Sequence, residues 1–169
     1  KTRLIGSYNL DNVLAAITVG LHFGVTADQV CHAIENYEPT NNRSELVKTG
    51  SNTLIVDAYN ANPTSMAAAL DSFGQIATQL PKMAILGDMR ELGEVSEAEH
   101  QKVVDTLKAK GLNDVWLVGE EFGQTRCDFH KYNNVEEVKQ AIASYKPCGK
   151  CILIKGSNGT KLFELPELL

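Results

Sequence analysis

Three times in this chain an apolar run ends abruptly in polar residues: TLIVDAYNANPTSM at 53–66, MAILGDMRELG at 83–93 and CILIKGSNGTK at 151–161. Unbroken apolar runs of this kind fit strands covered on both faces, as in a parallel sheet. Between them the period lengthens. After Pro63, the residues Met66, Leu70, Phe73 and Ile76/Ala77 recur at helical spacing, and Val135, Val138, Ala141 and Ile142 do so again. Ser96 and Glu99 have capping-box spacing and predict a helix that ends near Gly111. VWLV before Gly119 reads as a further strand, and ELVKT with TLIVD as a strand pair turning at Gly50–Asn52. Strands separated by helical stretches predict right-handed crossovers and an α/β fold, with a mostly parallel sheet and helices on both faces. In such a sheet, ligands bind outside the carboxyl ends of the strands. Asp57, Asp88 and Lys155 stand at three of these ends, so the pattern predicts a cleft bordered by Asp57, Asp88 and Ser157.

The first forty residues follow a different rhythm. Asn9 is placed to cap a helix whose stripe is Val13, Ala16, Ile17, Gly20, Leu21 and Gly24, and small residues on that stripe imply a close neighbour. Thr26 and Gln29 have capping-box spacing ahead of a second helix lined by Val30, Ala33, Ile34 and Tyr37. Pro39 and the polar run TNNR then end the pattern. The chain opens on Lys1 without a Met and enters a structured pattern almost at once, so it reads as a piece of a longer protein.

Composition narrows the picture little but excludes some classes. With 43% hydrophobic and 22% charged residues, the 169-residue chain has the make-up of a globular protein with a core. No apolar run approaches the roughly 20 residues that span a bilayer. A net charge of -5 argues against a broad nucleic-acid surface, while leaving room for a local phosphate site. Four cysteines without a secretory signal predict reduced thiols. The spacing Cys127-x2-His130 and Cys148-x2-Cys151 also fits the outline of a zinc site, against which Cys151 opens an apolar strand.

The polar turns carry the candidate chemistry. Asp57, ending a buried strand, suits a ribose hydroxyl, or else a turn or helix cap beside Asn60, Asn62 and Pro63. Lys155-Gly-Ser-Asn-Gly159 has glycines too close together for a P-loop, and Lys161 precedes Leu162 instead of Ser or Thr. Backbone amides or Ser157 could still hold an anion there. Arg43, in the polar linker, is either a solvated surface residue or a bidentate partner for phosphates bound between two domains. His22, His32 and His100 read as ordinary helix residues.

Five blocks carry a resemblance: GSYNLDNVLAA (6–16), NNRSE (41–45), DAYNANPTSM (57–66), LGDMRELGE (86–94) and KGSNG (155–159). In this order they resemble the Mur ligases, ATP-dependent amide-bond-forming enzymes of bacterial peptidoglycan synthesis. DAYNANP with GDMRELG is similar to the branch that adds D-alanyl-D-alanine to UDP-N-acetylmuramoyl tripeptide. The resemblance implies that 1–44 holds the last helices and linker of a central ATPase domain, and that 45–169 is a Rossmann-like C-terminal domain. It places Asn9 and Asn12 near adenine, Arg43 at the ATP phosphates and Asp57 on the ribose. It sets Asn60, Asn62, Asp88 and Ser157 toward the incoming dipeptide and the reacting acyl group, with Arg43 and Ser157 nearest the chemistry. The implied reaction phosphorylates the tripeptide carboxylate, and the dipeptide amine then attacks the acyl phosphate. Magnesium would bridge the phosphates, held mainly by the central domain, and no metal ligand is expected among the site residues of this chain.

The resemblance also implies a cytoplasmic, monomeric full enzyme, without nucleic-acid partners or membrane insertion, and an inactive isolated fragment. Asn158 and Gly159 depart from the bulkier or basic residues expected in the last block. Other readings are a different Mur-type ligase, a folylpolyglutamate synthase-like enzyme, or a stand-alone nucleotide- or zinc-binding module.

Overall fold

A computed structural model describes residues 2, 4–6, 9–39 and 42–169. Ser7 and Tyr8 of the first block, and Thr40 and Asn41 of the polar run, lie outside the described residues. Among these, six strands form one sheet in the order β1-β2-β6-β3-β4-β5. The strands are β1 (Glu45–Lys48), β2 (Thr53–Asp57), β3 (Lys82–Gly87), β4 (Val115–Val118), β5 (His130–Tyr132) and β6 (Cys151–Lys155). Only β1 runs antiparallel, pairing with β2 across the predicted turn. The sheet is therefore mostly parallel, as the apolar runs require.

Strand alternation splits the core in two. Ile55, Ala84, Leu86, Val115, Leu117 and Leu153 face one layer, made by α3 (Pro63–Gln75), α4 (Ser96–Ala109) and α5 (Glu120–Gly123). Leu54, Val56, Met83, Ile85, Trp116, Ile152 and Ile154 face the other, made by α6 (Val135–Ser144) and the C-terminal turns through Leu162, Leu165 and Leu169. Connections that move outward along the sheet place their helices on one face. The return from β5 to β6 uses the opposite face, as right-handed crossovers demand. Chain paths leaving β3 and β6 thus diverge, which makes the ends of those two strands a topological switch point.

Two short elements escaped the periodicity. The strand β5 has the sequence HKY, with no apolar run to mark it, and α5 is a single turn. The stripe of α3 is present: Met66, Leu70 and Phe73 are buried and Ile76, the C-cap, packs against the same layer, while Ala77 is exposed.

The helices α1 (Asn9–His22) and α2 (Ala27–Asn36) pack on each other. A Cβ on Gly20 would stand 3.1 Å from Val30 Cγ2, so the small residue does permit a close neighbour. The predicted Thr26–Gln29 capping box is present. Asn9, however, does not act as the expected cap: it is the first helical residue, and its side-chain amide donates to Ile5 O at 2.7 Å. The stripe is also only partly covered, because no residue of α1 is buried and Leu21 is exposed.

Candidate functional site

The strand register brings three polar turns to one edge. Asp57 on β2 stands opposite Lys155 on β6, which in turn stands opposite Leu86 on β3. Lys155 Nζ donates to Asp57 Oδ2 at 2.6 Å and to Asn60 O at 3.2 Å. Its side chain is 1% exposed, so a buried ammonium is neutralised by a carboxylate that keeps 15% exposure of its own. Asp57 is thereby held at the strand end with its second oxygen outside the ion pair. Asn60 Oδ1 accepts from Ala61 N at 2.8 Å, which tightens the turn. Asn62 is the N-cap of α3: its side chain accepts from Ser65 N and Ser65 Oγ accepts from Asn62 N. Both asparagines are exposed, with part of their hydrogen-bonding capacity spent on the backbone.

Arg43 meets this turn from the linker. Its guanidinium carbon lies 4.0 Å from the centroid of Tyr59, a cation–π stack on a residue two positions from Asp57. The linker reaches it through left-handed backbone at Asn42 (φ 55) and Ser44 (φ 52). Arg43, Asp57 and Asn60 are thus gathered around one turn. Asn9 and Asn12 form a separate pair on α1, with Asn12 Nδ2 donating to Asn9 Oδ1 at 3.2 Å. Ile5, which holds Asn9, packs against the core layer of α3 and α4.

Beside this turn the switch point between β3 and β6 is closed. Thr160 fills it: a Cβ on Gly87 or on Gly156 would lie 2.7 Å from Thr160 Oγ1. Thr160 Oγ1 donates to Ser157 O at 2.6 Å. Ser157 is buried and works as a staple between loops, its amide donating to Asp88 O and its Oγ accepting from Arg90 N at 3.1 Å. The departure at Gly159 has a physical reason here. Arg90 lies across it, and a Cβ would stand 2.6 Å from the guanidinium carbon.

Beyond the closed switch point an open cleft of about 860 Å³ lies over the ends of β3 and β4, walled by Arg90, Ser96, Glu121, Asn133, Asn134 and Lys161. Asp88 lines it; Asp57 and Ser157 do not. The expected single cleft is therefore two neighbouring places, and the Ser157 staple ties the turn after β6 to the Asp88 side. Asp88 is turned inward. Its Oδ2 accepts from Glu121 N at 3.1 Å and its Oδ1 from Phe122 N at 2.9 Å, so it caps the turn α5. Gly119 makes room for it, because a Cβ there would come within 2.1 Å of Asp88 Oδ2. Burial raises the carboxyl pKa, and the two amides and His100 counteract that only in part.

His100 lies on α4, as expected of a helix residue, and it also bridges to the loop after β3. It is fully buried, its Nε2 accepts from Met89 N at 3.0 Å, and Nδ1 lies 2.7 Å from Ser96 O. The signal for its burial was available: His100 shares a stripe with Val103, Val104 and Leu107, all buried. Ser96 is not the cap expected of it. The N-cap is Val95, and Ser96 Oγ instead donates to Glu121 Oε2 at 2.6 Å.

The zinc outline fails on sheet geometry. His130 on β5 and Cys151 on β6 are three strands apart, about 14 Å at ordinary strand spacing. Among the described residues no group of three or more His, Cys, Asp or Glu is placed to hold a metal ion.

The sequence model of the family described as "Mur ligase, glutamate ligase domain" matches residues 42–158. The UDP-N-acetylmuramoyl-tripeptide--D-alanyl-D-alanine ligase of Bacillus subtilis is 32% identical over 174 residues, covering 96% of this chain and 38% of that enzyme. Among solved structures, MurF from Acinetobacter baumannii superposes with a TM-score of 0.81 at 27% identity, covering 98% of this chain and 40% of that one. A Thermotoga maritima MurF ligase in complex with ADP shares the fold, with a TM-score of 0.80 at 20% identity over 98% of this chain and 38% of that one. The chain thus spans about 38% of the length of the Bacillus relative. Since the family match takes in the sheet from β1 to β6 and the turns at its carboxyl edge, the chain belongs to the Mur ligase family.

Proposed function

We propose that this chain is the C-terminal part of an ATP-dependent ligase that adds D-alanyl-D-alanine to UDP-N-acetylmuramoyl tripeptide in peptidoglycan precursor synthesis. The observation that carries the reading is the strand order. Adjacency of β2, β6 and β3 sets DAYNANP, KGSNG and GDMRELG side by side at one edge, although they are spread over some hundred residues of chain. The relatives of known specificity given above, which add D-alanyl-D-alanine or are called MurF, support the same branch.

In this reading residues 1–44 belong with a preceding central domain and 45–169 form the closing domain. Bound ATP would supply the phosphoryl group that activates the tripeptide carboxylate. Asp57, pinned by Lys155, offers its free oxygen to a ribose hydroxyl. Arg43, stacked on Tyr59, presents a guanidinium in the linker where phosphates held by the preceding domain would arrive. Asn9 and Asn12 offer paired amides to an adenine edge. Magnesium would be held mainly by the preceding domain, where it would neutralise phosphate charge. The cleft beside Asp88, with exposed Asn133 and Asn134 and the charges of Arg90 and Lys161, suits a small zwitterionic dipeptide. Asp88 and Ser157 act there by holding loops, while Asn60 and Asn62 face solvent at the neighbouring turn. Rate enhancement in such a site comes from holding reactants in place and from neutralising developing charge. The full enzyme is read as a cytoplasmic monomer.

The test is phosphate release by the full-length enzyme with UDP-N-acetylmuramoyl tripeptide, ATP and a panel of amines. D-alanyl-D-alanine should be preferred over single amino acids and over folate with glutamate. Preference for any of the others would reassign the chain within the superfamily.

A further inference from the structure

The walls of the cleft beside Asp88 are tied together by one buried imidazole. Met89 is 1% exposed, and its amide has His100 Nε2 as acceptor at 3.0 Å. Because Nε2 accepts, the ring proton sits on Nδ1 and is donated to Ser96 O at 2.7 Å. The ring also stands edge-on to Phe122, 4.6 Å between centroids, and lies 3.8 Å from Asp88 Oδ1. One side chain therefore touches the loop after β3, the first turn of α4 and the turn α5. On either side of Met89, Asp88 caps α5 and the Arg90 amide reaches Ser157 Oγ.

We infer that His100 is a positioning residue for the amine substrate: it fixes the Asp88–Arg90 loop, and through it the wall of the cleft that receives the dipeptide. The inference rests on the ligase reading above. An apolar core residue at position 100 would fill the space, but it would leave a buried amide without an acceptor, a desolvation cost that the loop could relieve only by moving. Movement of Met89 carries Arg90 with it, and Arg90 lines the cleft. Groups bound on the β2 side of the sheet edge, where Asp57 and Arg43 lie, are not attached to this loop. The effect should thus fall on one substrate.

The experiment uses the full-length ligase with His100→Asn and His100→Gln. Gln carries its carbonyl out toward the position of Nε2 and keeps an acceptor for the Met89 amide, whereas Asn reaches only as far as Nδ1. His100→Asn should raise KM for D-alanyl-D-alanine about tenfold or more while KM for ATP stays within about twofold. His100→Gln should fall between Asn and wild type. Hydrogen exchange should show the Met89 amide deprotected in the Asn variant and protected in the Gln variant. Equal changes in both KM values, or indistinguishable Asn and Gln variants, would reduce His100 to a core residue. If the Asn variant does not fold, the Gln variant alone decides, through a raised dipeptide KM with ATP unaffected or its absence. Wild-type enzyme that releases no phosphate with the dipeptide would instead overturn the ligase reading, and the positioning role with it.

Discussion

Lys155 carries an ammonium into a position with 1% exposure, and Asp57 is the carboxylate that meets it. Removing one partner of a buried pair leaves the other charge uncompensated, which costs about 3–5 kcal/mol. Asp57→Ala should therefore lower unfolding stability by that order in urea titrations, in addition to any loss of nucleotide binding; Asn60 O alone cannot neutralise the lysine. Asp88 acts in the opposite electrostatic sense. Burial raises its carboxyl pKa, so the native state holds its proton more tightly than the unfolded chain does. Its contribution to stability is fully present below the unfolded carboxylate pKa and is lost as pH rises through the raised native value. Over that acidic window Asp88→Asn should show a flatter dependence of stability on pH than wild type, measured by thermal melts at several pH values. A third side chain separates shape from stability. In Gly159→Ala the new Cβ meets only the far end of Arg90, which can swing away. Stability should change by no more than about 0.5 kcal/mol, as at most surface sites, while KM for the amine substrate shifts.

At the level of elements, the capping box at Asn62 decides how α3 begins and so where the DAYNANP turn stands relative to the sheet. Asn62→Ala should cost about 1 kcal/mol, and Asn62→Ser should recover most of it, because Ser also accepts from the third amide of the helix. If turnover follows stability through both variants, Asn62 is only a cap; if Ser restores stability without turnover, the amide contacts substrate. The contrast also marks what the sequence made legible. Apolar runs such as TLIVD, MAIL, VWLV and CILI announce their strands, because a parallel strand buried on both faces has to be apolar throughout. The strand β5 has no such signature, since an edge strand of three residues is half open to water. Local spacing located the Thr26 box correctly yet misplaced the one at Ser96, whose hydroxyl is drawn to Glu121, twenty-five positions away. Long-range partners leave no periodic trace. That is why strand order, and not pattern, revealed the Asp57–Lys155 pair, the Ser157 staple and the division of one expected cleft into two places.

Across the whole molecule, packing is unevenly shared. Both core layers are built from residues after Glu45, with Ile5 as an added contact from the N-terminal segment. The helix α1 and the turn after it leave large apolar side chains in water, including Leu10 at 61% and Val19 at 57% on the helix and Phe23 at 79% exposure in the turn. Apolar surface gathered on one helix and its following turn favours association with other protein surface. In the ligase reading that surface lies against the preceding domain. The isolated 169-residue chain should then self-associate with rising concentration in sedimentation experiments, and it should show no phosphate release with ATP and substrates. Deleting residues 1–41 should abolish the self-association while leaving a single cooperative unfolding transition, because the sheet and both of its layers remain. The strained linker around Arg43 sits between these parts, with left-handed backbone at Asn42 and Ser44. Its stack on Tyr59 is the contact that couples the linker to the strand ends. Arg43→Ala in the full enzyme should consequently remove most turnover, whereas Arg43→Lys retains the charge but not the planar fork and should recover only a part. Full turnover in Arg43→Ala would detach the linker from the chemistry and leave that to the sheet edge and α1.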